Sequence, residues 1–125
     1  MLFDTDVLIH SGKGHPGAIL ALSRSGLRCI AVQTAMEFLQ GSTSSAALKA
    51  RRAFLHSAEF EIRPLTPNIG HRAMMLIEQY SLSNGLMSAD ALIAATALEN
   101  DMMLCTGNAR HFKAIKDLKL QTLKI

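Results

Sequence analysis

The sequence has 125 residues, of which 49% are hydrophobic and 18% charged, with a formal net charge of +3. This length and apolar content allow one sizeable core, predict a single domain over residues 1–125, and exclude a disordered, highly charged chain. The mild excess of basic residues is compatible with a polyanionic partner but does not by itself indicate one.

Short apolar runs alternate with helical patterns along the chain. Leu2 and Phe3 predict a first strand that ends in a turn over residues 4–6. Asp6 then resembles an ordinary N-cap for the helix that begins with the apolar residues 7–9. Further strands are predicted over residues 27–33, 60–65, 101–106 and 120–125, and helices over residues 16–25, 34–40, 45–57, 67–81 and 88–99.

Strands that are separated by helices pair in parallel and carry helices on both faces of the sheet. The nearly continuous apolar runs at residues 30–32 and 102–105 are typical of strands buried on both sides. The pattern therefore predicts an α/β fold, a three-layer α/β/α sandwich with a central, mainly parallel sheet of four to five strands.

In such a sheet the functional site lies beyond the carboxyl ends of the strands, and this rule separates the acidic residues. Asp4 follows the first strand, Glu37 lies one turn into the helix after the second, and Asp90 opens the apolar helix. Thr106 and Asn108 follow the fourth strand. The remaining acidic residues precede strands or lie at helix ends and exposed faces, where no special role is required.

Each of the three acidic residues also has an ordinary structural explanation. Glu37 completes a capping box with Thr34, and the helix dipole favours a carboxylate at the position of Asp90. Asp4 is harder to explain in this way, because an acidic residue among apolar strand residues is costly to bury without a partner.

Taken together, three carboxylates at one edge of a sheet would raise one another's pKa unless a cation lay among them. A hard cation such as Mg²⁺ or Mn²⁺ binds oxygen ligands and often needs only a few carboxylates, several waters and a substrate phosphate. A site of this kind can activate water against a phosphodiester bond.

Four segments carry a resemblance to a known family. In order they are residues 3–9 (FDTDVLI), 35–41 (AMEFLQG), 89–97 (ADALIAATA) and 104–108 (LCTGN), the last followed by His111 and Phe112. They resemble the PIN-domain ribonucleases, and most of all the VapC-type toxins of bacterial toxin–antitoxin pairs. Each motif is weak alone, but the four together cover the chain in the family's order and spacing.

The resemblance implies a Mg²⁺- or Mn²⁺-dependent endoribonuclease that cuts RNA, with Asp4, Glu37 and Asp90 as the metal-binding acids. Thr106 matches a threonine that lines the family's site, and Asn108 would orient a metal-bound water. The family often has a fourth acid after the fourth strand, where this chain has Asn108 and His111, so a second cation lacks support. Asp6 stands where the family more often has Asn, and an extra carboxylate there would tune the metal.

The same resemblance implies two protein partners. One is a cognate antitoxin whose carboxyl-terminal segment covers the acidic groove, and the other is a second copy of the chain, giving a homodimer. Met74 and Met75, with the apolar residues that follow, exceed what one buried helix stripe needs, and this observation is compatible with either a partner surface or a filled core.

The cysteines and the lengths of the apolar runs indicate where in the cell the protein is expected. Cys29 and Cys105 lie inside apolar runs, which predicts buried, reduced thiols. The amino terminus lacks the basic region of a signal peptide, and the longest apolar-rich run, residues 89–98, is too short to cross a bilayer. We therefore expect a soluble cytoplasmic protein without a membrane anchor.

Three other functions are compatible with parts of the sequence. Asp4 and Asp6 also resemble the opening motif of haloacid-dehalogenase-type phosphatases, but the later Lys and paired acids of those enzymes are missing. A metal-free ribonuclease could use His10 and His111 as acid and base. The third alternative is an inactive module on the same fold that binds nucleic acid or the antitoxin.

Overall fold

A computed structural model of residues 1–125 shows a central sheet of five parallel strands, as the sequence predicts. The strands lie in the order β3-β2-β1-β4-β5. Their bounds are β1 Leu2–Phe3, β2 Cys29–Ala31, β3 Glu61–Arg63, β4 Leu104–Thr106 and β5 Leu120–Thr122.

Six helices surround the sheet, and a single turn of 3₁₀ helix, Ala109–His111, follows β4. The helices are α1 Thr5–Gly12, α2 Pro16–Arg24, α3 Val32–Gln40, α4 Ser45–Ser57, α5 Pro67–Asn84 and α6 Ser88–Glu99. None of them is both long and apolar enough to span a membrane.

The core divides into two clusters, one on each face of the sheet. Leu2 belongs to the cluster that contains residues of α5 and α6, and Phe3 belongs to the cluster that contains residues of α1 to α4. Neighbouring strand residues point to opposite faces, so β1 alone contributes to both cores. This arrangement confirms the predicted three-layer α/β/α sandwich.

The register of the central strands brings three chain segments to one edge of the sheet, the edge formed by the carboxyl ends of the strands. Leu2 pairs with Cys29 on one side and with Leu104 on the other. Because all three strands are parallel and short, their carboxyl ends lie side by side. The edge beyond them therefore holds Asp4, the start of α3 and the segment after Thr106, and the amide of Asp4 donates to the carbonyl of Cys105 at 2.9 Å.

Two predicted helix caps are wrong. Asp4, not Asp6, is the N-cap of α1, and its carboxylate accepts from the amide of Thr5. The helix begins immediately after the strand because Val7 and Leu8, both fully buried, must face the core one turn later.

The capping box of Thr34 and Glu37 is also absent. Helix α3 begins at Val32, directly after β2, so Thr34 lies inside the first turn with its buried hydroxyl unpaired. The helix follows the fully buried strand β2 without a loop, and burial resumes at Thr34 and Ala35 within its first turn. This early start leaves Glu37 available for contacts outside its own helix.

The predicted helices at residues 45–57 and 88–99 agree with α4 and α6, whereas the strands are shorter than the apolar runs that indicated them. Helix α5 continues three residues beyond its predicted end, to Asn84, where Gly85 ends it with a φ of 68°. That left-handed conformation is one that glycine adopts at little cost. Both cysteines are free and buried, as predicted.

Candidate active site

Asp4 directly follows β1, the middle strand of the sheet, and therefore lies in the middle of the carboxyl edge. The residue is only 7% exposed. Its Oδ1 accepts from the amide of Thr5 at 2.7 Å, and its Oδ2 accepts from the hydroxyl of Thr106 at 2.8 Å. Burial, followed by the charge of Asp6, raises the pKa of Asp4 to about 7, and the charge of Asp90 adds to the rise. The two hydrogen bonds act in the opposite direction by stabilising the ionised form.

Asp90 occupies the first turn of α6, as the sequence predicts, and its carboxylate is near enough to the edge for its charge to reach Asp4. Its Oδ2 lies 3.1 Å from Nδ1 of His111, and the two side chains are 22% and 24% exposed. The charge of Asp90 acts on both Asp4 and Asp6. The structure therefore brings together two of the three predicted acids, which are far apart in sequence.

Glu37, the third predicted acid, reaches this edge indirectly. Its Oε1 accepts from the hydroxyl of Thr5 at 2.9 Å, and the amide of the same Thr5 donates to Asp4. The charges that raise the pKa of Asp4 are those of Asp6 and Asp90, and Glu37 is not among them. Thr5 thus links Glu37 to Asp4 without a direct contact between the two carboxylates.

Thr106 and Asn108 differ in their surroundings. Thr106 is fully buried at the end of β4, and its hydroxyl donates to Asp4 while accepting from the amide of Asn108 at 2.9 Å. The side chain of Asn108 is exposed and makes no hydrogen bond within the protein. It is therefore available to a ligand at this edge.

Asp6 is a site residue that the N-cap interpretation missed. Its Oδ2 accepts from the amide of Gly107 at 3.0 Å, whereas its Oδ1 is buried without a partner. Burial is the main cause of its raised pKa. The sequence signals for it were its spacing of two residues from Asp4 and its place in the motif over residues 3–9, where the resembled family more often has Asn. With one oxygen bonded and the other buried, Asp6 is not placed to act as the general acid of a phosphatase.

Gly107 allows this close approach. A Cβ atom at this position would lie 2.9 Å from Oδ2 of Asp6 and would collide with the side chain of Ile125.

The two histidines of the alternative metal-free ribonuclease have different neighbours. His10 packs edge-on against His15, with 5.9 Å between ring centroids, whereas His111 contacts Asp90.

The donor set suits a hard cation in its chemistry. Asp4 and Asp6 crowd negative charge into a buried space, and Oδ1 of Asp6 is a buried carboxylate oxygen without a hydrogen-bond donor. As the side chains stand, no three Asp, Glu, His or Cys residues form a complete ligand group. This fits Mg²⁺ better than an ion that needs a full protein cage, because Mg²⁺ retains several waters and binds through one or two carboxylates and substrate phosphates.

The chain is similar to several known proteins. The family model described as PIN domain matches residues 1–118. Ribonuclease VapC10 of Mycobacterium tuberculosis is 32% identical over 123 residues, which cover 95% of this chain and 90% of that protein. Ribonuclease VapC19 of the same organism is 30% identical over 122 residues, which cover 94% and 96%. A chain of a toxin–antitoxin complex from Klebsiella pneumoniae superposes with a TM-score of 0.81 at 30% identity, covering 97% of this chain and 95% of that one.

Proposed function

The chain belongs to the PIN-domain family, and from this premise we propose that it is a metal-dependent endoribonuclease, the toxin component of a toxin–antitoxin pair. The observation that carries the proposal is the placement of Asp4 and Asp90 at one edge of the sheet, near enough for the charge of Asp90 to act on Asp4, with Glu37 linked to Asp4 through Thr5. The names of the similar mycobacterial proteins, both ribonucleases, support RNA as the substrate.

We assign Mg²⁺ or Mn²⁺ binding to Asp4, Glu37 and Asp90. Such a cation, when bound, offsets the repulsion among the carboxylates, orients and activates water, and stabilises the leaving oxygen of a phosphodiester. Glu37 retains an oxygen, Oε2, that makes no hydrogen bond in the protein, and Oδ1 of Asp90 is equally free. These two oxygens are available for a cation without the loss of any hydrogen bond.

Two further residues act around the acids. The Thr106 hydroxyl fixes the Asp4 carboxylate and favours its ionised form, which is the form that binds a cation. Asn108 is exposed and its side chain makes no hydrogen bond in the protein, so in this proposal it donates to a phosphate oxygen or to a water at the edge. We propose both as site residues.

The proposal is tested by incubating the purified chain, free of any partner, with total cellular RNA in Mg²⁺ or Mn²⁺ and in excess EDTA. Asp4→Asn is the test variant. Asp117→Asn is the matched control, because Asp117 is an exposed acid that precedes β5, and the start of β5 lies beside the start of β4, at the opposite edge. Asn is also tolerated at the positive φ of 68° found there.

Discrete cleavage that requires metal, survives in Asp117→Asn and is lost in Asp4→Asn supports the proposed enzyme. Cleavage that persists in EDTA and in Asp4→Asn contradicts the carboxylate mechanism and favours the histidines. RNA binding without cleavage in any lane, by protein shown to be folded from its circular dichroism, favours the inactive module.

For partners, we propose a cognate antitoxin and a second copy of the chain. The similar Klebsiella chain comes from a toxin–antitoxin complex, which supports the antitoxin. An apolar groove of about 340 Å³ between α5 and α6, with Met74 largely exposed at its side, supports a dimer. If this face pairs two copies, Met74→Glu will give a monomer in sedimentation while the wild type is a dimer.

We place the reaction in the cytoplasm, where RNA substrates occur and thiols such as Cys29 and Cys105 stay reduced.

A further inference from the structure

The last residue of β4 and the short segment that follows it together donate a hydrogen bond to each of the three aspartates at the edge. The Thr106 hydroxyl donates to Asp4, and the Gly107 amide donates to Asp6. The third contact is the pair formed by Nδ1 of His111 and Oδ2 of Asp90 at 3.1 Å. Because His111 is the only side chain that makes a hydrogen bond to the Asp90 carboxylate, the orientation of Asp90 depends on it.

The direction of this bond follows from the chemistry of the two groups. An ionised carboxylate only accepts hydrogen bonds, so Nδ1 of His111 is the donor. Nδ1 carries a proton in the imidazolium form and in one neutral form of the ring, and either form can donate this bond. The contact therefore does not depend on whether the other ring nitrogen is protonated.

The position of His111 is fixed by its neighbour in sequence. Phe112 is fully buried in the core cluster that also contains Ala91, the residue next to Asp90. The amides of Phe112 and Lys113 both donate to the carbonyl of Ala109, which closes the 3₁₀ turn around His111. The ring and the carboxylate are thus held by two segments that pack in the same core.

We propose that His111 is a positioning residue for Asp90: its Nδ1–H holds Oδ2 and so presents Oδ1 to the cation. The inference rests on the proposed metal site and adds a residue that contacts the carboxylate rather than the cation. Hydrogen bonds to the carboxylate ligands of a metal site typically change its affinity or activity by about 10–100-fold when they are removed. The end of β4 and the segment after it then act by donating hydrogen bonds to the acids, with no fourth acid of their own.

The test measures the dissociation constant for Mn²⁺ by electron paramagnetic resonance, and kcat and KM for RNA cleavage, on four proteins. These are the wild type, His111→Ala, His111→Asn and the control His71→Ala. The Asn side-chain amide retains a donor near the position of Nδ1, and His71 is an exposed histidine of α5 without any hydrogen bond or ion pair.

We expect His111→Ala to weaken Mn²⁺ binding by roughly 10–100-fold and to lower kcat more than it changes KM. His111→Asn should recover most of the affinity, and His71→Ala should match the wild type. Equal affinity in His111→Ala and the wild type, or an equal loss in His111→Asn and His111→Ala, would overturn the inference while leaving the metal site intact. A wild type that binds no Mn²⁺ would instead overturn the proposed function, and this inference with it.

Should His111→Ala fail to fold, the Mn²⁺ affinity of His111→Asn decides the matter. We expect an affinity within about threefold of the wild type, because this variant keeps the donor. Loss of a hydrogen bond to a metal-binding side chain costs about 10-fold or more in affinity. A loss of 10-fold or more in folded His111→Asn would contradict a role based on hydrogen-bond donation.

Discussion

The hydroxyl of Thr106 and the carboxylate of Asp4, 102 residues apart in sequence, form a buried hydrogen bond of 2.8 Å. The bond joins the carboxyl ends of β1 and β4, which are neighbours in the sheet. It stabilises the ionised form of a carboxyl group whose burial favours the neutral form. This one contact therefore couples the stability of the sheet edge to the charge of the candidate site.

Replacing Thr106 with Val should test this coupling, because Val has nearly the same shape but no hydroxyl. We expect the free energy of unfolding to fall by about 1–3 kcal/mol at pH 8, where Asp4 is ionised and would lose a buried donor. Chemical denaturation measures the loss. Thr106→Ser should lose less, and Thr122→Val, on the exposed partner of Thr106 in β5, should change little.

The metal-free protein should become less stable as the pH rises from about 4 to about 8. The pKa of Asp4 is raised from 3.8 to about 7, so the folded state binds more protons than the unfolded state within this window. Stability that depends on a raised pKa is present below the unfolded value and is lost as the pH passes the folded value. The difference between the pKa of Asp4 in the unfolded and folded states corresponds to a loss of about 4 kcal/mol in the free energy of unfolding across this window.

The measurement compares denaturation of the wild type and Asp4→Asn in EDTA at several pH values. The difference between the two proteins isolates Asp4 from other titrating groups, and Asp4→Asn should be the more stable at pH 8. A constant difference across the window would contradict the raised pKa. Addition of Mn²⁺ at pH 8 should stabilise only the wild type, since a ligand that binds the folded state alone raises stability.

Replacing Asp6 with Asn should lower the pKa of Asp4. The charge of Asp6 is the second cause of the raised value, after burial, and Asn removes the charge while retaining an oxygen that can accept from the Gly107 amide. Carbon-13 NMR of the Asp4 carboxyl reports the change directly. An unchanged Asp4 titration in folded Asp6→Asn would show that the two carboxyl groups interact less than their placement requires.

Replacing Thr5 with Val should release Glu37 from the edge. The Thr5 hydroxyl is the only donor to the Glu37 carboxylate, whereas the Thr5 amide, which donates to Asp4, remains in the variant. We expect roughly 10-fold weaker Mn²⁺ binding, measured by calorimetry, with recovery in Thr5→Ser. If Thr5→Val binds Mn²⁺ as the wild type does, Glu37 is not held for the cation by this contact.

The edge of the sheet could be predicted because it depends on topology. Parallel pairing of β1 and β4 puts Asp4 and Thr106 at neighbouring strand ends, and the apolar run of α6 places Asp90 in a first turn. These placements follow from alternating strands and helices alone. The fold class was accordingly predicted correctly. The family was also predicted correctly, but from the resemblance of four sequence motifs and not from topology.

The contacts within the edge could not be predicted in the same way. Whether Asp4 or Asp6 caps α1 depends on a shift of two residues, and the packing of Val7 and Leu8 determines it. The pair of Asp90 and His111 joins residues 21 positions apart through side chains alone, which no sequence period describes. Local capping rules also failed at Glu37, because its partner Thr5 lies in another helix.

The most direct test of the central claim is a crystal of the wild-type protein soaked in Mn²⁺, with anomalous diffraction measured at the manganese edge. The account predicts a peak within ligand distance of the carboxylates of Asp4 and Asp90, on the side from which Glu37 approaches. A peak located elsewhere, or no peak at the edge at saturating Mn²⁺, would contradict the assignment of these acids to a cation.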